Sequence, residues 1–411
     1  MRAVDARRRV LVTDGELRSV LAACRGLAQA GYRVSVVADG PLAETKWSRS
    51  CSVRFRAPHP LSDPEAFATE LARILRREPH AVLLPGSEAS LLAISDRRQL
   101  LEPLASLGLP SHETVERCLD KCELMRAAAG VEMDSPAAEV CDAGDVLRAA
   151  RELGFPVVLK PIRTLRRDGF GGLHGEAVVP APDEATLRRV QPSLRGRYLV
   201  QRFLPAARRF SAAGVMTEDG LRALVLARFR RTWPPEAGAV AFGETVAPPA
   251  GLGVRVSALL RRIGWRGIFE LEYLETGAGH LAAIDLNPRP FGWMTLAVAA
   301  GANLPAIWCD ELTAGTSIAA TGRPGVRYRW EEADLAHFAW QVRRGRLRQA
   351  AAVLRPHRDV VHAHFSRADP APLAARAASL GWATARRVAA RVAGEARRHS
   401  NADAPARPAS R

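Results

Sequence analysis

Two apolar runs late in the chain carry carboxylates: Gly267-Ile268-Phe269-Glu270-Leu271-Glu272-Tyr273, and Leu281-Ala282-Ala283-Ile284-Asp285-Leu286-Asn287-Pro288-Arg289. Joined by Glu275-Thr276-Gly277-Ala278-Gly279, they predict a β-hairpin that brings Glu272 and Asp285 toward one spot. Side-chain alternation puts Asn287 on the same face as Asp285. Unpaired charge inside apolar strands is costly, so the fold must bring these oxygens a positive partner. Hard oxygen donors converging in this way suit magnesium, or manganese in its place, held jointly with ATP phosphates.

Lysine usage points the same way. Only three of the fifty-nine basic side chains are lysine, and two of them, Lys121 and Lys160, stand where phosphates would be met. Lys160 ends the buried-strand pattern Gly154-Phe155-Pro156-Val157-Val158-Leu159-Lys160-Pro161. Next comes the glycine-rich stretch Asp168-Gly169-Phe170-Gly171-Gly172-Leu173-His174-Gly175. An ammonium is a compact charge on a flexible stem, suited to phosphate oxygens that shift during transfer, whereas an arginine fork prefers a fixed bidentate partner. Glycine tolerates positive φ and close approach, so Gly169, Gly171 and Gly172 can lay backbone N–H groups against phosphates, although the loop has neither the Walker spacing nor a true GxGxxG.

In this order of motifs the chain resembles the ATP-grasp superfamily, and more closely its carboxylate-amine ligase branch. The resemblance runs from about Val10 to near Leu373. It rests on Asp120-Lys121, Val158-Leu159-Lys160-Pro161, the glycine loop, Tyr198-Leu199-Val200-Gln201-Arg202-Phe203-Leu204, and then Glu272, Asp285, Asn287 and Arg289. It implies two α+β subdomains gripping ATP, with Lys121 and Lys160 on the α- and β-phosphates and Glu272, Asp285 and Asn287 on magnesium. It also implies that Gln201 and the Arg202, Phe203 and Leu204 backbone meet the nucleoside. Two departures stand out. Gln201-Arg202 replaces the glutamate that family members usually carry for the ribose, and the second magnesium carboxylate is the shorter Asp285.

The expected architecture combines α/β and α+β parts. Residues 1–110 read as a Rossmann-like domain ahead of the ATP-grasp unit, 111–325 as the two-subdomain ATP-grasp fold with a lid at about 136–203, 326–398 as a basic, mostly helical extension, and 399–411 as a disordered tail. The opening is βαβ: a strand over 10–13, a helix over 16–30 and a strand over 32–38, continued by a helix over 64–77 and a strand over 81–84. Strand ends in such sheets collect ligands, which draws attention to Asp14, Gly15 and Glu88. A helix from Glu113 is expected to carry Lys121, with Cys118 and Cys122 sharing one face. Beyond Gly325, seventeen arginines against seven acidic residues give a net +10 of the chain's +16. That tail could touch nucleic acid or anionic lipid, but aromatic partners are few and a solvated face accounts for it. His362 and His364 share a strand face near His357, but neither a cysteine nor a carboxylate completes a metal set in the sequence.

Six cysteines without a CxxC pair predict reduced thiols, and no signal-peptide pattern or membrane-length apolar run is present, so a cytoplasmic enzyme is expected. The function expected is ATP-dependent joining of a carboxylate to an amine, or to a thiol, through an acyl phosphate. Small acids and amines would be its partners, and a homodimer is compatible with it. Arg228, Arg230 and Arg289 are the candidates for steadying the transferring group, since arginine cannot act as a base. Two rivals are an ATP-binding scaffold without turnover and a nucleic-acid or membrane binder acting through the basic C-terminal region.

Overall fold

The computed structural model describes residues 8–167, 172–204, 207–235, 238–277, 280–357, 359–382 and 385–386. Its first sheet is wholly parallel, ordered Cys51–Phe55, Arg33–Val37, Arg9–Val12, Val82–Leu84. Val10, Leu11 and Val12 are all fully buried, the signature of a strand covered on both faces. Helix Arg18–Gln29 covers one face and helix Pro64–Arg77 packs within the core on the other, its first turn capped by Asp63, which accepts from the Ala66 amide at 2.8 Å.

Two further sheets follow, the smaller antiparallel and the larger mainly so, with parallel pairings only at Ala320–Thr321 and Val360–His362. The smaller is ordered Ala138–Asp142, Arg197–Arg202, Val157–Pro161, Val179–Ala181, with helices Val146–Leu153 and Glu184–Val190 sharing its core. The larger runs Leu281–Asn287, Gly267–Glu275, Arg208–Met216, Leu221–Trp233, Ala239–Val246, Arg327–Arg329, Val360–His362, with Ala320–Thr321 beside Leu221–Trp233. Helices Met294–Ala299 and Leu304–Ala314 lie between this sheet and the first domain, so one hydrophobic core contains Val12, Val20, Val215, Val225, Trp293 and Trp308 together. Among the described residues, no helix is long and apolar enough to cross a membrane.

The structure departs from the sequence reading in three places. The expected helix carrying both Cys118 and Cys122 is broken into His112–Cys118 and Lys121–Ala129, because Asp120 caps the second helix, accepting from the Cys122 and Glu123 amides at 2.8 and 3.3 Å. The two thiols therefore share no helical face. In the region expected to be mostly helical after residue 325, the chain is likewise broken between helices Glu331–Arg343 and Leu347–Leu354, with Gly345 at φ 68° between them.

The third departure is the basic C-terminal region, which is knitted into the larger sheet by two strands instead of standing apart as a helical extension. Its helix Glu331–Arg343 is anchored by Asp334, a buried carboxylate held by Arg231 Nε and Nη2 at 2.6 and 2.8 Å and by Arg329 Nε at 3.0 Å. Described helical residues reach 386, and the tail at 399–411 lies outside the described residues. Asp334→Ala would leave two half-buried guanidinium groups facing each other without their carboxylate. We expect it to cost about 3–5 kcal/mol in urea unfolding; a loss below about 1 kcal/mol, the range of a surface pair, would contradict this anchoring role.

Candidate active site between two sheets

A cavity of about 230 Å³ lies in the seam between the smaller and the larger of these two sheets. The smaller sheet supplies Val158, Lys160, Gln201, Arg202, Phe203 and Leu204, and the larger supplies Arg209, Glu272, Leu274, Ile284 and Asp285. The hairpin expected from sequence is present, and Glu272 pairs directly with Asp285 across it.

Lysines from two different elements reach this hairpin. Lys160, only 8% exposed, donates from Nζ to the Ile284 carbonyl at 2.9 Å, and burial pushes its pKa down to about 8. Lys121, 6% exposed, stands at the first turn of its helix, where its Nζ is 3.7 Å from Asp285 Oδ1 and donates to Thr164 Oγ1 at 3.3 Å. Burial raises the Glu272 pKa against the opposing pull of Arg209, whose Nη2 lies 3.2 Å from Glu272 Oε2. Arg209 also donates to the Gly238 carbonyl at 2.8 Å.

Asn287 and Arg289 continue the same edge. Asn287 donates from Nδ2 to Glu270 Oε2 at 3.1 Å and accepts at Oδ1 from Arg289 Nη2 at 3.0 Å. Arg289 Nη1 is satisfied by the Pro290 carbonyl, while its Nε is buried without a partner. Glu88 opens helix Glu88–Asp96 on the first domain. Burial raises its pKa while the positive charges of Arg289 and Lys121 oppose the rise, so this carboxylate faces the same cluster. Asp14 is instead occupied within the fold, accepting from the Ser87 hydroxyl at 2.8 Å and the Gly86 amide at 3.1 Å.

Other residues singled out in the sequence are placed differently. Arg228 and Arg230 are both engaged with Glu244, at 2.6 and 2.7 Å, and neither lines the cavity. The Arg202 guanidinium donates to the Leu153 carbonyl at 2.9 Å, and the Arg202 and Phe203 amides are committed to Ala137 and Pro156. Of that segment, Gln201 lines the cavity while itself buried. Gly172 leads into strand Leu173–Gly175, whose Leu173 amide donates to the Leu61 carbonyl of the first domain at 2.7 Å; Gly169 and Gly171 lie outside the described residues. His364 does find a carboxylate, with its Nδ1 2.7 Å from Glu44 Oε2, but a contact across 320 residues is invisible to local spacing.

Sequence reasoning missed Arg209, Glu270 and Trp293. Only Glu270 left a signal, by standing two residues before Glu272 and so on the same strand face.

The donor set fits a divalent cation shared with an anion better than a closed protein cage. Among the described residues no three His, Cys, Asp or Glu side chains form a metal cluster, so Glu272, Asp285 and the Asn287 oxygen would need further oxygens from a ligand. Two buried ammonium groups and the orphaned Arg289 Nε are donors suited to that ligand being anionic.

No protein-family model matches the chain, and no curated protein matches it. Solved structures do. N5-carboxyaminoimidazole synthetase from Staphylococcus aureus complexed with ADP aligns over 78% of this chain and 80% of its own, with a TM-score of 0.60 and 14% identity. Biotin carboxylase from Campylobacter jejuni in complex with β-γ-ATP covers 79% and 75%, at 0.58 and 13%. L-amino acid ligase from Bacillus licheniformis covers 74% of each chain, at 0.54 and 14%. At such identities the likeness is one of fold alone, and that fold is the ATP-grasp fold.

Proposed function

We propose that this chain is an ATP-dependent ligase that activates a small carboxylate as its acyl phosphate and joins it to an amine. The observation that carries the reading is a pair of buried lysines, Lys160 lining the cavity and Lys121 beside Asp285, that face a paired glutamate and aspartate at the seam of two sheets. Solvated lysines would suit any anion. Buried ones held against carboxylates suit a polyphosphate with its cation, because each charge then offsets another in a poorly hydrated space.

Lys160 and Lys121 would hold phosphate oxygens, and Gln201 with the Leu204 edge would meet the nucleoside. Glu272, Asp285 and Asn287 would hold magnesium, which when bound neutralises charge on the phosphates. Arg289, with one donor unpaired, would receive the acid substrate or the transferring phosphoryl group. A carboxylate oxygen attacks the γ-phosphorus, and the bond from that phosphorus to the β–γ bridging oxygen breaks to release ADP. The amine nitrogen then attacks the acyl carbon, phosphate leaves, and the amine gives up a proton. Glu88, a carboxylate with a raised pKa beside Arg289, stands where that proton could be received. Arg228 and Arg230 would need to leave Glu244 to take part.

The test is phosphate release from ATP with pooled amino acids and small carboxylates. Stimulation by one acid with one amine supports ligation, whereas nucleotide binding without turnover would point to a scaffold. Asp285→Asn keeps size and removes charge, so it should abolish magnesium-dependent turnover with the fold intact; full activity would overturn the metal assignment.

Lys160→Met should weaken ATP binding about tenfold to a hundredfold, as loss of a charge-assisted contact does. Lys46→Met should change little, because Lys46 Nζ lies on the Asp39 carbonyl of the first domain. Equal affinities for the two variants in calorimetric titration would remove Lys160 from the site.

The Lys160 pKa gives a pH signature with a defined sign. Its folded value, about 8, lies below the ordinary lysine value of 10.5, so the ammonium is lost early as pH rises. ATP affinity should therefore fall as pH rises through about 8 in the wild-type protein, while Lys160→Met shows no such fall. Stability runs the opposite way. The unfolded chain holds the proton that the folded one has released, so wild-type stability should gain on Lys160→Met between pH 8 and 10.5. Parallel stability curves would refute the buried-lysine reading.

A further inference from the structure

Glu270 has no part in the chemistry just described, yet it is only 6% exposed and its charge lies beneath the site. Its two oxygens accept three hydrogen bonds. Oε1 takes Ser211 Oγ at 3.0 Å and Trp293 Nε1, and Oε2 takes Asn287 Nδ2 at 3.1 Å. Asn287 and Trp293 are the two ends of the segment that carries Arg289, so one carboxylate closes that loop at its base. Two prolines, Pro288 and Pro290, stiffen the loop, and its far side is held where Arg18 Nε and the Tyr328 hydroxyl donate to the Gly292 carbonyl at 3.1 and 2.9 Å.

The hydrogen bonds also settle which way the Asn287 carboxamide points. A carboxylate only accepts and a guanidinium only donates. Between Glu270 and Arg289, one orientation satisfies both: NH2 toward Glu270 and oxygen toward Arg289.

We propose that Glu270 is a positioning residue that orients Asn287 so that its oxygen, not its NH2, is presented to the cation, while pinning the loop that carries Arg289. This rests on the reading of Asn287 as a magnesium ligand.

A consequence follows for Glu270→Gln. Glutamine has one acceptor oxygen and one NH2. The side that receives two donors, Ser211 and Trp293, keeps the oxygen, which turns the NH2 toward Asn287. Two NH2 groups would then face each other, and the Asn287 carboxamide relieves this by rotating, which points its own NH2 at the cation and at Arg289. Replacing Asn287 by aspartate in the same variant removes the conflict: one carboxylate oxygen accepts from the new carboxamide NH2 and the other faces the cation.

The experiment is titration of Mn2+ with the full chain in the presence of ATP, read by the free-Mn2+ resonance, alongside thermal melts to normalise for folded protein. Glu270→Gln should weaken Mn2+ binding by about tenfold or more, the range seen when partners behind a metal ligand are lost. Glu270→Gln/Asn287→Asp, in which every donor again meets an acceptor, should fold and recover the affinity to within about threefold, the coupling expected of residues in contact. Ser211→Ala, which takes one donor from Oε1 and leaves Asn287 untouched, should bind Mn2+ as the wild-type protein does. A Glu270→Gln protein that melts earlier but binds Mn2+ normally would make Glu270 merely structural and overturn the proposal, and so would a double variant as weak as the single one. Failure of the wild-type protein to bind Mn2+ with ATP would be a different result, bringing down the metal reading itself and this inference with it.

Discussion

Two buried ammonium groups and two carboxylates face each other at the seam between the smaller and larger sheets, and the placement of the surrounding elements follows from keeping them there. Alone, Lys160 at the end of a strand of the smaller sheet would be a desolvation penalty with little return. Its Nζ rests on the carbonyl of Ile284, next to Asp285, so the cation is satisfied only when the hairpin of the larger sheet lies against it. Lys121 adds a second cation from a helix start, fixed because the Lys121 amide itself donates to the Ile162 carbonyl. The resulting cavity is strained in charge and not in shape, the usual condition of a site built to receive a charged ligand.

The hairpin was legible in the sequence because both of its signals are local. Apolar alternation marks the strands and the glycine-rich turn joins them, but counting from that turn would set Glu272 opposite Ile284; a one-residue bulge there moves Asp285 into place. Lys160 was legible for a similar reason, since an apolar run ending in a lysine is unusual in a chain that otherwise uses arginine. Arg209 was not. It belongs to an ordinary arginine pair at a strand start, and only the sheet order, which sets Arg208–Met216 beside Gly267–Glu275, brings it to Glu272.

Misplaced expectations have the same origin. Arg228 and Arg230 do share a strand face, as alternation requires, but the neighbouring strand sets Glu244 opposite Arg228, and one carboxylate engages both guanidinium groups. Composition made the C-terminal region look separate because its arginines outnumber its acids. Arg329 and its strand neighbours nevertheless close the sheet, and Asp334 ties the following helix to it. Charge content describes the surface of such a segment; its place in the fold is decided by a few apolar strand residues such as Tyr328, which is fully buried.

The loop from Asn287 to Trp293 shows how far the site depends on parts remote in sequence. Gly292 lies directly against the Arg18 guanidinium, so an added Cβ there would force that guanidinium to shift. Arg18 comes from the first helix of the first domain, lies 3.6 Å above the Trp330 ring, and donates to the Gly292 carbonyl. Trp330 in turn precedes the helix that Asp334 anchors. The first domain is therefore more than a neighbour that lines one wall. Its opening helix is a fixed strut between the C-terminal region and the loop that carries Arg289, so the position of that guanidinium is set by three parts of the chain at once. The mechanical unit that holds Arg289 thus crosses the boundary expected from sequence near Pro110.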